Sequence, residues 1–174
     1  FGADVIARID AARDPSALAA LRDGVRDAIA GAAAELCTRR GIDPARIERV
    51  SCAGNTVMEC LVAGIDPTPL GVAPFTPPSL FGTEADLSPA PASTGAGDAA
   101  FAAGLPASGA GGGTSTGASS LAAAVPALGH AYLAPAVAAY VGGDITAGLH
   151  AAGMRTRQGL QLFVDIGTNG EMAL

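Results

Sequence analysis

The chain has 174 residues, 49% of them hydrophobic, which is enough apolar mass for one domain with a packed core. Its net charge is −6, every basic residue is Arg, and none lies between Arg49 and Arg155. This excludes the continuous basic surface that nucleic-acid binding requires. No run of about 18 uncharged apolar residues occurs, so no membrane span is expected.

Phe1-Gly2-Ala3-Asp4 carries no initiator Met, basic leader or signal-peptide core. The final residues, Glu171-Met172-Ala173-Leu174, stop without a turn residue or charged tail. Both ends are therefore expected to lie inside a longer protein. Cys37, Cys52 and Cys60 are widely spaced and show no metal-ligand pattern. Reduced thiols and a cytoplasmic location are expected. His130 and His150 are solitary and read as structural.

Asp14-Pro15 predicts a helix start, with Asp as N-cap and Pro at the first helical position. Leu18, Leu21, Val25, Ile29, Ala32 and Leu36 follow at spacings of three and four, one apolar helical face. Arg39-Arg40-Gly41 ends that helix, with cations at its carbonyl end and Gly for a left-handed cap. A short strand is expected over 47–53, broken by Gly54-Asn55-Thr56, then a helix over 57–62 ending at Gly64. Residues 66–78 hold too many prolines for regular structure and predict an extended, ordered loop.

From 88 to about 120 the composition turns to Ala, Gly, Ser, Thr and Pro, which predicts a flexible insertion with a short helix near 98–103. Structure is expected to resume with a strand at 131–135 and a helix at 144–152 opened by Gly142-Gly143. A last strand over 160–166 runs into Gly167-Thr168-Asn169-Gly170, and Asn-Gly is a strong hairpin signal. The order predicts an α/β fold with helices packed on sheet faces.

The turn Asp165-Ile166-Gly167-Thr168-Asn169-Gly170-Glu171 has the parts of a phosphate loop. Gly167 and Gly170 permit close backbone approach, the turn's N–H groups can form an anion nest, and Thr168 adds a donor. Asp165 can hold a water on Mg²⁺, a hard cation that favours carboxylate and phosphate oxygens. Turn chemistry alone leaves a plain hairpin equally open. The helix before it, Gly142-Gly143-Asp144-Ile145-Thr146-Ala147-Gly148-Leu149, shifts the balance with its small residues and leading acid. Small-residue helix followed by strand and Asp-x-Gly-Thr resembles the hinge helix and second phosphate loop of the actin, sugar-kinase and heat-shock-chaperone superfamily.

Five blocks in order narrow the resemblance. They are Phe1-Gly2-Ala3-Asp4-Val5-Ile6-Ala7-Arg8-Ile9, Gly54-Asn55-Thr56-Val57-Met58, the stretch 64–77 from Gly64-Ile65-Asp66-Pro67 to Phe75-Thr76-Pro77, Tyr140-Val141-Gly142-Gly143-Asp144-Ile145-Thr146-Ala147-Gly148, and 164–173. Together they resemble the ATP-dependent reductive activators of corrinoid proteins, ferredoxins joined to an actin-like ATPase. They cover most of the chain except about 88–129.

The resemblance implies a partial actin-like (ribonuclease H-like) ATPase fold with a Gly/Ala/Ser-rich insertion. Residues 1–87 would belong to the first lobe, 88–129 to the insertion, and 130–174 to the hinge helix and the start of the second lobe. It implies ATP and Mg²⁺ as cofactors, and a 2Fe–2S cluster only in an upstream domain that this chain lacks. The intact protein would couple ATP hydrolysis to reduction of Co(II) to Co(I) on a corrinoid protein or corrinoid-dependent methyltransferase, with a homodimer possible; this chain alone would be inactive.

Asp165 and Asp144 would be catalytic, with Asp165 near Mg²⁺ through water. Gly167, Thr168, Asn169, Gly170, Glu171, Asn55, Thr56, Gly142 and Gly143 would contact the nucleotide. The chain departs from the family at Cys60, where a His is usual, and no role is assigned to that thiol.

A competing motif, Ser93-Thr94-Gly95-Ala96-Gly97-Asp98-Ala99-Ala100-Phe101, is similar to the signature of ribokinase-like sugar kinases, with Asp98 as base. An extra Ala, a helix cut short at Leu105-Pro106 and the lack of a preceding βαβ array argue against it. A third reading is a non-catalytic actin-like module that only binds a partner.

Overall fold

The computed structural model describes residues 4–88, 125–166 and 170–174. The low-complexity stretch, the Asp98 motif and the tip of the last turn lie outside the described residues.

The reading of the sequence starts its first helix at Asp14; the structure adds α1 (Val5–Ala11) before it, capped by Asp4 accepting from the Ala7 amide. Helix α2 (Pro15–Arg40) begins as its cap chemistry dictates. The Asp14 side chain accepts from the Ser16 and Ala17 amides, and Gly41 closes the helix at φ 63°.

The expected apolar stripe of α2 holds only in its first half. Leu21 is buried, but the buried positions continue through Ala30, Ala34 and Cys37, while Ala32 and Leu36 are exposed. Ala30 sits in a cluster with Val62, Leu128 and Leu133, where a small side chain permits close approach.

A 3₁₀ turn at Pro44–Arg46 takes the chain to β1 (Ser51–Cys52), much shorter than the expected 47–53. Strand length here is set by the partner. β1 pairs in parallel with β3 (Ala131–Leu133), Ser51 opposite Tyr132 and Cys52 opposite Leu133. On the other edge of β3 lies β2 (Thr83–Ala85), antiparallel, with Thr83 opposite Leu133 and Ala85 opposite Ala131. Thr-Glu-Ala carries no apolar alternation, so nothing local announces this strand.

The sheet order is β1-β3-β2. Helix α3 (Thr56–Ala63) ends at Gly64, φ 77°. It is buried on almost every side and joins both core clusters. Val57, Cys60 and Leu61 pack with Ile9, Leu21 and Leu70, and Val62 packs with Leu128 and Leu133.

The proline-rich stretch is ordered as expected but not wholly extended. Thr68–Gly71 forms a 3₁₀ turn, started by Asp66, which accepts from the Thr68 amide at 2.9 Å and the Thr68 hydroxyl at 2.8 Å. It seats Leu70 in the core, and the Tyr140 hydroxyl donates to the Leu70 carbonyl at 2.7 Å.

Beyond the sheet come helix α4 (Gly143–Ala151) and an antiparallel pair, β4 (Phe163–Ile166) and β5 (Gly170–Ala173). The result is a mixed α/β architecture with two small sheets among the described residues.

Candidate functional site: two helix starts and an acidic hairpin

Helices α3 and α4 begin against each other. The turn Gly54-Asn55-Thr56 leads into α3, where Asn55 Oδ1 accepts from the Met58 amide at 2.9 Å. The Thr56 hydroxyl donates to the Ala138 carbonyl at 3.0 Å, across 82 positions of sequence.

Into this turn fits the start of α4. The Asp144 amide donates to the Gly54 carbonyl at 3.2 Å. A Cβ at position 142 would lie 2.5 Å from the Gly54 carbonyl oxygen, 2.6 Å from Asn55 Cα and 2.7 Å from the Thr56 nitrogen. A Cβ at position 143 would run into Glu59 Oε1 and lie 2.9 Å from the Ala134 carbonyl oxygen. Glycine is thus required at both positions by backbone contact. The Thr146 hydroxyl adds a tie to the Pro135 carbonyl at 2.6 Å.

Five of the residues singled out from the sequence therefore meet: Asn55, Thr56, Gly142, Gly143 and Asp144. Their side chains are already engaged in part. Asn55 caps its own helix, and the Asp144 carboxylate accepts from the Ile145 amide at 2.9 Å.

The hairpin lies further along α4. A Cβ on Gly148 would be 2.6 Å from the Phe163 ring, so α4 packs directly on β4. In the β4–β5 ladder Asp165 stands opposite Glu171, and Ile166 opposite Gly170. Both carboxylates are half-buried. Like charges directly opposite each other repel unless a cation lies between them.

Mg²⁺ takes one or two carboxylates together with phosphate and water oxygens, so Asp165 and Glu171 suit it as a donor set. Among the described residues no group of three or more His, Cys, Asp or Glu converges into a protein-only metal cage. Gly167, Thr168 and Asn169 lie outside the described residues.

One residue that the sequence reading missed stands at the centre of the two helix starts. Glu59, in the first turn of α3, is 2% exposed, and neither carboxyl oxygen has a hydrogen-bond partner among the described residues. Burial pushes its pKa up to about 7, and Asp144 pushes in the same direction. The backbone N–H groups of Gly54 and Gly143 face the carboxyl and oppose the shift without closing a hydrogen bond. The signal available was a lone charge in Val57-Met58-Glu59-Cys60-Leu61-Val62, an otherwise apolar run.

Cys60 beside it is fully buried, and burial raises its thiol to about 12. It is a core side chain held protonated.

A separate cleft of about 860 Å³ opens between α4 and the β1–β3 edge, lined in part by Cys52, Tyr132, His150, Arg155, Arg157 and Leu174. None of the five converging residues, nor Asp165 or Glu171, lines it.

The chain is thus a mixed α/β protein in which a small-residue helix docks by its amino end on a Gly-Asn-Thr turn and is followed by an acidic hairpin. The family described as the RACo middle region matches residues 1–94, more than half of the sequence. The chain belongs to that family.

It is 28% identical over 180 residues to a protein of Eubacterium limosum named corrinoid activation enzyme RamQ, which covers 100% of this chain and 24% of the relative. A solved structure named reductive activator for corrinoid, iron-sulfur protein superposes with a TM-score of 0.72 at 32% identity. That match covers 99% of this chain and 23% of the solved one. The chain thus spans about a quarter of the length of the relatives it matches. These matches point away from a sugar kinase, whose Asp98 motif lies outside the described residues.

Proposed function

We propose that this chain is part of a reductive activator of a corrinoid protein, and that it carries one side of a Mg·ATP site in an actin-like (ribonuclease H-like) ATPase fold. The observation that carries the reading is the docking of Gly142, Gly143 and Asp144 on Gly54-Asn55-Thr56, in a chain that belongs to the RACo middle region family. Residues 1–87 supply the first lobe, whose sheet β3 completes, and 88–129 are an insertion. Within 130–174, α4 is the hinge and the β4–β5 hairpin opens the second lobe.

The residues divide the work by chemistry. Asp165, opposite Glu171, would hold Mg²⁺ through water. Gly167, Thr168, Asn169 and Gly170, a sequence of the anion-nest type, would contact phosphate. Asn55 and Thr56 would contact the nucleotide from the first lobe, and Asp144 at the hinge would be the second catalytic carboxylate.

When bound, Mg·ATP supplies the free energy for moving an electron to a Co(II) corrinoid, giving Co(I), at a potential too low for an unassisted ferredoxin. The electron comes from a 2Fe–2S domain elsewhere in the intact protein, and the acceptor is a corrinoid protein or corrinoid-dependent methyltransferase. Among the described residues no helix is long and apolar enough to cross a membrane.

The test is Asp165→Ala in the intact protein. ATP-dependent corrinoid reduction is expected to be abolished while the iron–sulfur absorption spectrum is unchanged. Normal turnover in that variant overturns the assignment.

A further inference from the structure

Glu59 is unused by the nucleotide reading, yet it is 2% exposed and its carboxyl oxygens have no hydrogen-bond partner among the described residues. It rises from the first turn of α3 toward the first turn of α4, where only a glycine at 143 leaves it room. The starts of two helices bring their partial positive charge to one carboxyl, and still no donor completes a hydrogen bond to it among the described residues.

We propose that Glu59 is a positioning residue for the candidate site, a proton-dependent clasp that holds the start of α4 on the Gly54-Asn55-Thr56 turn when neutral and releases it when ionised. The meaning of the clasp for nucleotide binding rests on the Mg·ATP reading above; its existence does not.

The groups facing Glu59 decide the direction. Asp144 comes from α4 and repels a carboxylate. Cys52 from β1 and Cys60 from α3 itself are both raised by burial and then by the charge of Glu59. The segment after β3 contributes the Ala134 carbonyl, beside the Gly143 position. The Gly54 and Gly143 N–H groups alone favour the ionised form. Burial and Asp144 outweigh them, and the carboxyl titrates at about 7 rather than its ordinary 4.5.

A group raised on folding binds more protons folded than unfolded between those two values, so stability falls as pH rises through that window. The contribution is complete below 4.5, declines toward 7 and is lost above it. The part that loosens is the α3–α4 contact, because that is where the charge appears.

The experiment is amide hydrogen exchange on the intact protein without nucleotide, from about pH 5.5 to about pH 8.5, corrected for intrinsic rates. Protection of the first turn of α4, relative to the interior of α2, is expected to fall by about thirtyfold across that range. In Glu59→Gln it is expected to stay flat. In Asp144→Asn, which removes the repelling charge, the midpoint is expected to move to lower pH.

A flat wild-type profile overturns the proposal, as does an equal slope in wild type and Glu59→Gln. If Glu59→Gln does not fold, the wild-type profile and the Asp144→Asn shift decide. A parallel titration of Mg·ATP affinity separates the two readings. A clasp that titrates in a protein with no Mg·ATP binding at any pH sinks the nucleotide reading and leaves the clasp standing. Affinity with the same pH dependence in wild type and Glu59→Gln overturns the positioning role.

Discussion

Gly142 shows how one missing carbon organises this region. Its neighbours are the backbone of Gly54, Asn55 and Thr56, none of which can swing aside as a side chain would. Gly142→Ala is therefore expected to destabilise the protein by about 1–3 kcal/mol, the usual cost of overpacking, read as a lower urea midpoint with an unchanged slope. A midpoint equal to wild type would mean that the two turns are not in contact.

Cys60 carries the opposite lesson. It departs from the family pattern, yet its full burial and raised thiol leave it as packing. Glu59, one position earlier, looks like a misplaced surface residue in the sequence. Its chemistry comes from Gly143 and Asp144, which only the fold brings near.

Among the elements, α2 and α3 were legible because their ends are written locally. Asp14 and Asn55 cap α2 and α3 by reaching amides two or three residues ahead, and Gly41 and Gly64 stop them in left-handed conformation. At Gly64 a second constraint is added, for a Cβ there would meet Arg22 Cδ at 3.0 Å, bringing α2 close to the end of α3. Arg26 of α2 also donates to the Val62 carbonyl at 2.8 Å, a cation at the negative end of α3.

Gly64→Ala is expected to cost about 1–2 kcal/mol, the penalty for a side chain in that backbone region, measured by urea unfolding. The strands were less legible. β2 and the true length of β1 depend on β3, which follows only after the long low-complexity stretch.

At the scale of the molecule, apolar surface gathers at the carboxyl end. Leu160, Leu162, Ile166, Met172 and Leu174 are exposed, Ile166 to 90%. Among the described residues β4 and β5 form a two-stranded sheet, and such a pair is marginal without more strands or a covering helix. The cleft beside α4 opens in the same region, with Leu174 on its wall.

Since the chain spans about a quarter of its relatives' length, this surface is expected to be covered in the intact protein. The 174-residue chain by itself is then expected to self-associate, seen as a light-scattering mass that rises with concentration, and Ile166→Asp should reduce it. A monomer at every concentration would show that the exposed strands tolerate water.

The sequence by itself determined the boundaries of α2 and α3, the hairpin and the family, because caps, turns and ordered motifs act within a few residues. Only the tertiary structure decided that Gly142 and Gly143 meet the Gly54 turn, that β3 joins β1 to β2, and that Glu59 lies buried between two helix starts. The reason is physical: burial and close approach belong to pairs of segments, and here Thr56 and Ala138, one such pair, stand 82 positions apart.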